Sequence, residues 1–471
     1  MQCAGIVVPG TLTSCNDSED CRIVPTESQL SIIDRYAHRV RFLDMMWYDW
    51  ESHLVQSFLQ TLAYSSKVLM PNLRCLSGAF MLHLLRPLPG PRLQDITIDS
   101  VFKSGKDNFS ERTALHVALQ TLYSCCPSLE KFRFGTYDHL MCSRIITWDA
   151  HTARAASHSI EKLQKLRTVA VPAITKDALA YLGCLSCLIS LETHLPTGSD
   201  FEDVFRSSRT PLPFRNLRSI VWDIDDWAHV EVFTRIWSHR LTELSLRSKV
   251  HFDPGLLEIV LESFHTREAF KYLQSIRFSE LSLCPLTTTI IITINTIRPL
   301  FHLNHLRVVY FDTRSSIWVD NNDLKKVAEA WPCLEEFSLN DTYGCHNPAP
   351  GVTLPGLVEF IELCPHLTTL CIGTITLAGV DMPLDEDFHM DNFEPCRSSV
   401  LELVVARYPY TQERRSGSTW DHRLTYFFES LFRLRHMYTY RYPLIVRYHS
   451  EWYLLLTRST VTHLRCHFSS V

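Results

Sequence analysis

Glycine is scarce in this sequence, with 15 residues among 471, and the motifs that depend on it are missing. The chain has no P-loop, no G-x-G-x-x-G fingerprint and no G-x-S-x-G elbow, and it lacks the H-E-x-x-H zinc motif. Phosphate-binding loops use glycine because the backbone must approach the phosphates closely. We therefore expect no enzymatic activity, no cofactor and no metal site.

Basic charge and long apolar runs are also lacking. Lys and Arg number 46 against 51 Asp and Glu, which gives a formal net charge of −5. A nucleic acid or an anionic membrane would select a basic surface, so we expect neither as a partner. The longest apolar run, around residues 287–300, is rich in threonine and shorter than the roughly 20 residues that span a bilayer.

The 16 cysteines lack the spacing of a disulfide framework, and the N-terminal MQCAGIVVPG does not resemble a secretory signal. Cys364 and Cys371 stand in apolar contexts that predict reduced, buried side chains. Cys184-x-x-Cys187 has zinc-like spacing, but no second pair completes a site, so we interpret it as structural. The pattern favours an intracellular protein, cytoplasmic or nuclear.

The sequence does contain a repeat, and residues 321–377 hold two copies of it. An amphipathic helical pattern leads into a proline, and two residues after the proline a short strand pattern begins, Leu334-x-x-Phe337-x-Leu339 and then Leu367-x-x-Leu370-x-Ile372. A unit of this kind cannot bury its own apolar face and must stack on a neighbour like itself.

The L-x-x-L-x-L register recurs along most of the chain. From Leu241 its first position returns every 28 to 34 residues, and the match is weaker near Leu188-x-x-Leu191 and Leu434-x-x-Met437. The strong matches elsewhere start at Leu93, Leu129, Leu166, Leu217, Leu241, Leu273, Leu306 and Val400, with a degenerate one at Leu73.

This register predicts an α/β fold, a leucine-rich-repeat solenoid with a parallel sheet on its concave side and helices on its convex side. Crossover helices are expected at 113–124, 226–237, 256–264, 323–330, 357–363 and 423–434. A helix-stopping proline precedes five of the strands, at Pro71, Pro91, Pro127, Pro332 and Pro365. Polar residues are expected directly after four strands, at Asp99, Asp223, Asp312 and Asn340.

The predicted organisation is a flexible leader over 1–28 and repeats over 29–471. An acidic insertion interrupts the repeats at about 380–399 and a polar loop at about 408–419. The acidic cluster Asp223, Asp225 and Asp226 could hold a cation, but a strand-ending turn with a helix N-cap is the favoured interpretation. The aromatic run 437–448 could be a binding face, although apolar closure of the last repeat is favoured.

Residues between the apolar positions of each strand should point to the opposite, concave side. They mix both charge signs with an aromatic, which suits a protein ligand, and Arg277 and Tyr310 are the expected anchors. An unoccupied solvated face is the alternative. The candidate binding residues are Ser219, Asp223, Glu243, Arg247, Ser275, Arg277, Val308, Tyr310, Asp312, Glu336, Ser338 and Asn340.

The segments CPSLEKFRF, WPCLEEFSL and CPHLTTLCI resemble the leucine-rich repeats of F-box proteins. IDRYAHRVRFLDM followed by MPNLRCLSG, together with GVTLPGLVEFIELCPHLTTLCI, is similar to the large set in mushroom-type fungi. One departure is that many leucine-rich repeats place an Asn after the strand, whereas Tyr137, Asp225, Arg314, Thr342 and Ile375 stand here. Loop backbone groups must then be satisfied in another way.

The resemblance implies the substrate-recognition part of an SCF-type ubiquitin ligase, with an unknown protein as target. The F-box of the family is a helical module before the repeats, and residues 1–29 do not match it. Contact with the ligase adaptor is therefore expected only if an F-box exists upstream. The alternative is a stand-alone leucine-rich-repeat scaffold without a ligase role.

Overall fold

The computed structural model describes residues 28, 31, 35–45, 70–78, 90–99, 109–135, 150–194, 214–225, 230, 240–252, 254–265, 270–280, 291–340, 351–372, 402–405, 444–448 and 452–456. The chain divides into two compact units. They are the N-terminal unit, Met1–Gly135, and the C-terminal unit, Thr136–Val471. The expected leader, the acidic insertion at 380–399 and the polar loop at 408–419 lie outside the described residues, apart from Ser28.

Among its described residues, the N-terminal unit contains four strands that pair in parallel in chain order. One apolar residue of each strand stands in register with the next: Leu43, Leu76, Ile96 and Phe132. The apolar positions of the sequence pattern therefore form a row across the strands. The strands are β1 (Phe42–Met45), β2 (Cys75–Gly78), β3 (Asp95–Asp99) and β4 (Lys131–Gly135), and the helix α1 (Phe109–Cys125) precedes β4.

The C-terminal unit continues the pattern with a large parallel sheet. Its last pair, β16 and β17, is antiparallel, which corrects the expectation of a wholly parallel sheet. The strands of the unit are β5 (Thr168–Ala173), β6 (Ser190–His194), β7 (Ser219–Ile224), β8 (Glu243–Ser248), β9 (Ser275–Glu280), β10 (Ile291–Thr293), β11 (Val308–Asp312), β12 (Ser316–Trp318), β13 (Glu336–Leu339), β14 (Thr369–Ile372), β15 (Glu402–Val405), β16 (Leu444–Tyr448) and β17 (Trp452–Leu456).

Two details of strand assignment differ from the sequence pattern. The doubtful repeat at Leu188-x-x-Leu191 is a genuine member of the array, since β6 pairs in parallel with both β5 and β7. The short strands β10 and β12 form a separate parallel pair. In the aromatic run 437–448, β16 pairs with β15. The weak match at 434–437 lies outside the described residues.

Described helices connect several successive strands of the C-terminal unit, as a parallel sheet requires. They are α2 (Ala150–Ile160), α3 (Lys176–Cys184), α4 (Pro254–His265), α5 (Ile294–Ile297) with the 3-10 helix Arg298–His302, α6 (Asn321–Ala330) and α7 (Leu354–Leu363). The helices predicted at 113–124, 256–264, 323–330 and 357–363 are thereby confirmed. Those at 226–237 and 423–434 lie outside the described residues, except that Val230 is helical.

The inward register of the strands is confirmed in the C-terminal unit. Residues of one row stand opposite each other from β7 to β14, and each is at most 2% exposed: Ile220, Leu244, Ile276, Val309, Phe337 and Leu370. The first leucine of each repeat, from Leu217 to Leu367, is fully buried as well. Removing a side chain of this size from water contributes about 1.5–3 kcal/mol.

Aromatic contacts join the helices to this apolar face of the sheet. The ring of Phe337 in β13 lies 5.5 Å from that of Phe360 in α7 and 6.3 Å from that of Trp331, which follows α6. Between neighbouring strands, Phe278 and Phe311 stack at 4.9 Å. The described helices therefore pack on the row of leucine-type residues.

Each repeat enters its strand through a tight turn in which proline has a defined place. The N–H of Leu334 donates to the carbonyl of Trp331 at 3.1 Å, and the N–H of Leu367 donates to that of Cys364 at 3.0 Å. Pro332 and Pro365 then occupy the second turn position, where the fixed φ of proline is favourable. The prolines thus shape the turn as well as ending the helix.

The prediction that polar residues directly follow four strands is only partly right. Asn340 directly follows β13, but Asp223 lies inside β7, and Asp99 and Asp312 are the last residues of β3 and β11. The strands run on because neighbouring repeats supply hydrogen-bond partners for another one or two residues, as between Asp223 in β7 and Arg247 in β8.

Candidate binding face of the sheet

The side of the C-terminal sheet opposite the apolar rows carries three rows of side chains across β6–β13, and we call it the polar face. Strand pairing sets these rows, because residues two apart on a strand share a side. The first row holds Ser190, Ser219, Glu243, Ser275, Val308 and Glu336. The second holds Glu192, Val221, Ser245, Arg277, Tyr310 and Ser338. The third holds His194, Asp223, Arg247, Ser279 and Asp312.

Of the candidate residues from the sequence, all but Asn340 fall in these rows. The first row collects Ser219, Glu243, Ser275, Val308 and Glu336, the second Arg277, Tyr310 and Ser338, and the third Asp223, Arg247 and Asp312. Their accessibility differs more than the pattern suggested. Asp223, Asp312 and Ser338 are 6%, 5% and 2% exposed, so these three cannot be direct contacts for a partner unless their surroundings move.

Asn340 is misassigned by the sequence pattern, because its side chain is fully buried. Its φ of 56° turns the chain out of the strand direction, a conformation that asparagine tolerates better than most residues. Its Oδ1 accepts from the N–H of Thr313 at 3.0 Å, and its Nδ2 donates to the carbonyl of Ser315 at 2.8 Å. Asn340 therefore satisfies the loop backbone of the preceding repeat instead of facing a ligand.

Glu280 also accepts hydrogen bonds from loop backbone groups. Its carboxylate is 1% exposed; Oε1 accepts from the N–H of Phe252 at 2.6 Å and Oε2 from the N–H of Arg314 at 2.7 Å. One side chain thus joins the repeats before and after it. Asn340 and Glu280 show how the loop is satisfied where the expected asparagine position holds Arg314.

The first cluster on the polar face centres on Arg247. Its Nε lies 2.5 Å from Oδ1 of Asp223, and its terminal nitrogen lies 2.8 Å from Oε1 of Glu192. Burial alone would lower the pKa of Arg247, but these two carboxylates more than offset it and raise the pKa. The guanidinium is therefore held charged and in one orientation across three strands.

A second group continues the first beyond the strand ends. Asp225 accepts from Nζ of Lys249 at 3.1 Å, and Nε2 of His194 lies 2.9 Å from the same carboxylate. Burial lowers the pKa of His194, and Lys249 lowers it further, which outweighs the opposite effect of Asp225. Asp225 thus contacts Lys249 and His194, one from each neighbouring repeat. Among the described residues, no group of His, Cys, Asp or Glu is placed to hold a metal ion.

The third group joins Arg277, Tyr310 and Glu336. A terminal nitrogen of Arg277 lies 2.7 Å from Oε2 of Glu336, and its guanidinium carbon lies 5.4 Å from the centre of the Tyr310 ring. Such a cation–π contact is worth about 0.5–1 kcal/mol at an exposed site. The expected anchors are therefore neighbours in one row, and each is only partly buried.

Sequence reasoning missed three polar members of this surface, Glu192, His194 and Lys249, and it assigned Asp225 to a strand-ending turn. Glu192 and His194 belong to the repeat that matched the register poorly. Asp225 and Lys249 follow β7 and β8 at the next alternate position. The signal that could have found them is the alternation itself, continued one step further along each strand.

The buried cysteines behave as predicted. Cys364 and Cys371 are free thiols in the core, and burial raises the pKa of Cys364 to about 12. A thiol with so high a pKa is protonated near neutral pH and is a poor nucleophile. Cys187 donates to the carbonyl of Leu166 at 3.1 Å.

Comparison with known proteins adds no assignment. No family model matches the chain, and no curated protein matches it. In the part of the chain that the structure describes, no helix is both long and apolar enough to cross a bilayer.

Proposed function

We propose that this protein is a leucine-rich-repeat binding module that holds a protein target on the polar face, as the substrate-recognition part of an F-box protein does. The observation that carries the proposal is the alignment of charged and aromatic side chains in three rows across β6–β13. The opposite side of the same strands is occupied by the protein's own helices, which leaves the polar face as the surface for a partner.

The polar side chains are also held in place before any partner arrives. Arg247 is fixed by two carboxylates, and Arg277 is fixed between Glu336 and the Tyr310 ring. Side chains that are already ordered lose less conformational entropy on binding. Arg and Tyr are also the residue types most often found among interface hot spots. A preorganised face of this kind favours recognition of one particular protein.

The ubiquitin-ligase part of the proposal is supported by the resemblance of the repeats to those of fungal F-box proteins. In that arrangement the repeats choose the target, while an F-box contacts the adaptor. A stand-alone scaffold would use the same polar face without an adaptor. Stoichiometric co-purification of the full-length natural protein with the adaptor separates the two roles.

The test of target binding uses a variant with Arg277→Ala and Tyr310→Ala. We expect proximity labelling in cells to lose its strongest specific partner with this variant, because both anchor side chains are removed. The matched control is Lys271→Ala with Tyr272→Ala. It removes a cation and an exposed tyrosine from the turn before β9, and the partner should be retained.

Both variants must melt like the wild type before they are compared. If the Arg277/Tyr310 variant keeps every wild-type partner at equal strength, the polar face is not the binding surface. If the control loses the same partner to the same extent, the effect does not belong to this face either.

A further inference from the structure

The polar face has an uneven charge, and the structure extends the excess of carboxylates already present among the candidate residues from the sequence. Its three rows hold two cations, Arg247 and Arg277. They hold five carboxylates: Glu192, Asp223, Glu243, Asp312 and Glu336. With His194 neutral, as its lowered pKa indicates, the formal charge of the face is −3.

The hydrogen-bonding groups of the face are unbalanced as well, because its donors are engaged while acceptor capacity remains. The guanidinium of Arg247 already donates to Asp223 and Glu192, that of Arg277 to Glu336, and the ammonium of Lys249 to Asp225. Each carboxylate oxygen can accept more than one hydrogen bond. The face therefore uses its donors internally and keeps acceptor capacity for a ligand.

Glu243 is the clearest example of this remaining capacity. It is exposed and stands in the first row between Ser219 and Ser275. Among the described residues it has neither an ion pair nor a side-chain hydrogen bond. An exposed, unpaired carboxylate beside ordered ion pairs can accept a cation without breaking an existing contact, so it favours a ligand cation at the centre of the face.

The acidic surplus has a limit at the edge where the strands begin. The position after the first leucine of a repeat carries the cations Arg167, Arg218 and Arg307, and Arg307 pairs with Glu335. These cations border the first row, which itself holds Glu243 and Glu336. A ligand with both charge signs would have a preferred orientation on the polar face.

We infer that the polar face binds a basic segment of a partner protein, one whose Lys or Arg side chains supply the donors that the face lacks. This rests on the proposed function and adds the chemistry of the partner. Complementary charge on the two surfaces raises the association rate and disfavours acidic competitors. The interaction weakens with salt, since exposed charges are screened over about 8 Å at physiological ionic strength.

The experiment selects displayed random peptides of about 12 residues, enough to cross the rows in extended form, on the immobilised full chain. Peptides that also bind the Arg277→Ala, Tyr310→Ala variant equally well are discarded. We expect the remaining peptides to be enriched in Lys and Arg and depleted of Asp and Glu relative to the unselected library. Fluorescence anisotropy then gives the Kd of the most enriched peptide.

Glu243→Lys should weaken the binding of that peptide about tenfold, because it places a like charge at the centre of the face. The matched control is Glu258→Lys, an equally exposed glutamate on α4, which should change the Kd less than about twofold at physiological salt. Both variants must keep the melting temperature of the wild type. Since Glu243 has no described ion pair, its substitution should not disturb the fold.

Three outcomes would overturn the inference: recovery of neutral or acidic peptides, recovery of no face-dependent peptide, or equal weakening by the two lysine substitutions. The first leaves the proposed function standing, because the face would still bind a protein segment of other chemistry. Failure of the proposed function is recognised separately, when proximity labelling by the Arg277→Ala, Tyr310→Ala variant equals that of the wild type.

Discussion

On the apolar side of β7–β14, neighbours in one row are alike in kind: Ile220, Leu244, Ile276, Val309, Phe337 and Leu370. One residue earlier on the same strands stand Ser219, Glu243, Ser275, Val308 and Glu336 of the first row of the polar face, and Thr369 continues that row on β14. The two rows are carried by the same strands and differ only in their side chains. The apolar row needs only hydrophobic side chains of suitable volume, whereas on the polar face particular pairs decide which side chains are fixed.

The difference between the sides predicts where a substitution unfolds the protein and where it changes recognition. A residue in an apolar row contributes by the volume it fills, and its loss leaves a cavity. A residue on the polar face contributes through one or two partners. Asn340 and Glu280 form an intermediate class, since they are polar but buried, and they stabilise the connection between repeats.

The largest expected effect comes from the apolar row. Leu370→Ala should lower the free energy of unfolding by about 2–5 kcal/mol, because Leu370 is fully buried and the repeats on both sides limit relaxation. Urea denaturation measures the loss. The control is Thr369→Ala on the neighbouring polar position, with an expected change within about 0.5 kcal/mol. Similar losses for the two variants would contradict the assignment of the faces.

The buried asparagine should have the next largest effect. Asn340→Ala removes the side-chain hydrogen bonds to the loop and puts alanine at a φ of 56°, and we expect a loss of about 2–4 kcal/mol.

Asn340→Gly removes the same hydrogen bonds but accepts the positive φ, so its loss should be smaller by about 1 kcal/mol. Urea denaturation of the two variants therefore separates the contribution of the hydrogen bonds from that of the backbone conformation. Losses near zero for both would show that this connection between repeats does not stabilise the fold.

The smallest effect is a pH dependence from His194. Its pKa is lowered in the folded protein, chiefly by burial and then by Lys249. Below about pH 6.5, the usual pKa of an unfolded histidine, the unfolded chain binds more protons than the folded one. The stability contributed by His194 is therefore complete above that pH and is lost as the pH falls through the folded pKa.

A difference experiment isolates this contribution. The change in urea midpoint between about pH 7.5 and about pH 5.0 should be smaller in His194→Gln than in the wild type, because the substitution removes the titrating group. Glutamine keeps a polar side chain opposite Asp225. An equal or larger change in the variant would mean that His194 does not contribute in this direction.

The repeat pattern allowed much of the fold to be predicted. Leucine-type residues at the first, fourth and sixth positions predicted the strands and the buried rows, and the prolines predicted where helices give way to strands. The weaker repeat at β6 was uncertain because its pattern stops after two apolar positions, with Thr193 where the third would stand. The structure includes it because pairing with β5 and β7 satisfies its backbone.

The candidate face was predictable in position but not in its details. Alternation placed Arg277, Tyr310 and Glu336 on one side correctly, but it gave no information about which carboxylate pairs with which cation. Arg277 reaches Glu336 across β11, 59 residues along the chain, and Arg247 reaches Glu192 across β7, 55 residues earlier. Pairs at such separations depend on strand register and side-chain reach, and local sequence contains neither.

The sequence by itself determined the succession of strands, the side of each strand that is buried and the reduced state expected of its cysteines, because these follow from alternation and hydrophobicity within one repeat. Only the tertiary structure decided that Asn340 turns inward to the loop of the preceding repeat, that Glu280 joins two loops, and which carboxylate of the polar face pairs with which cation. Those outcomes depend on which residues meet across repeats, and each repeat encodes only its own half of such a contact.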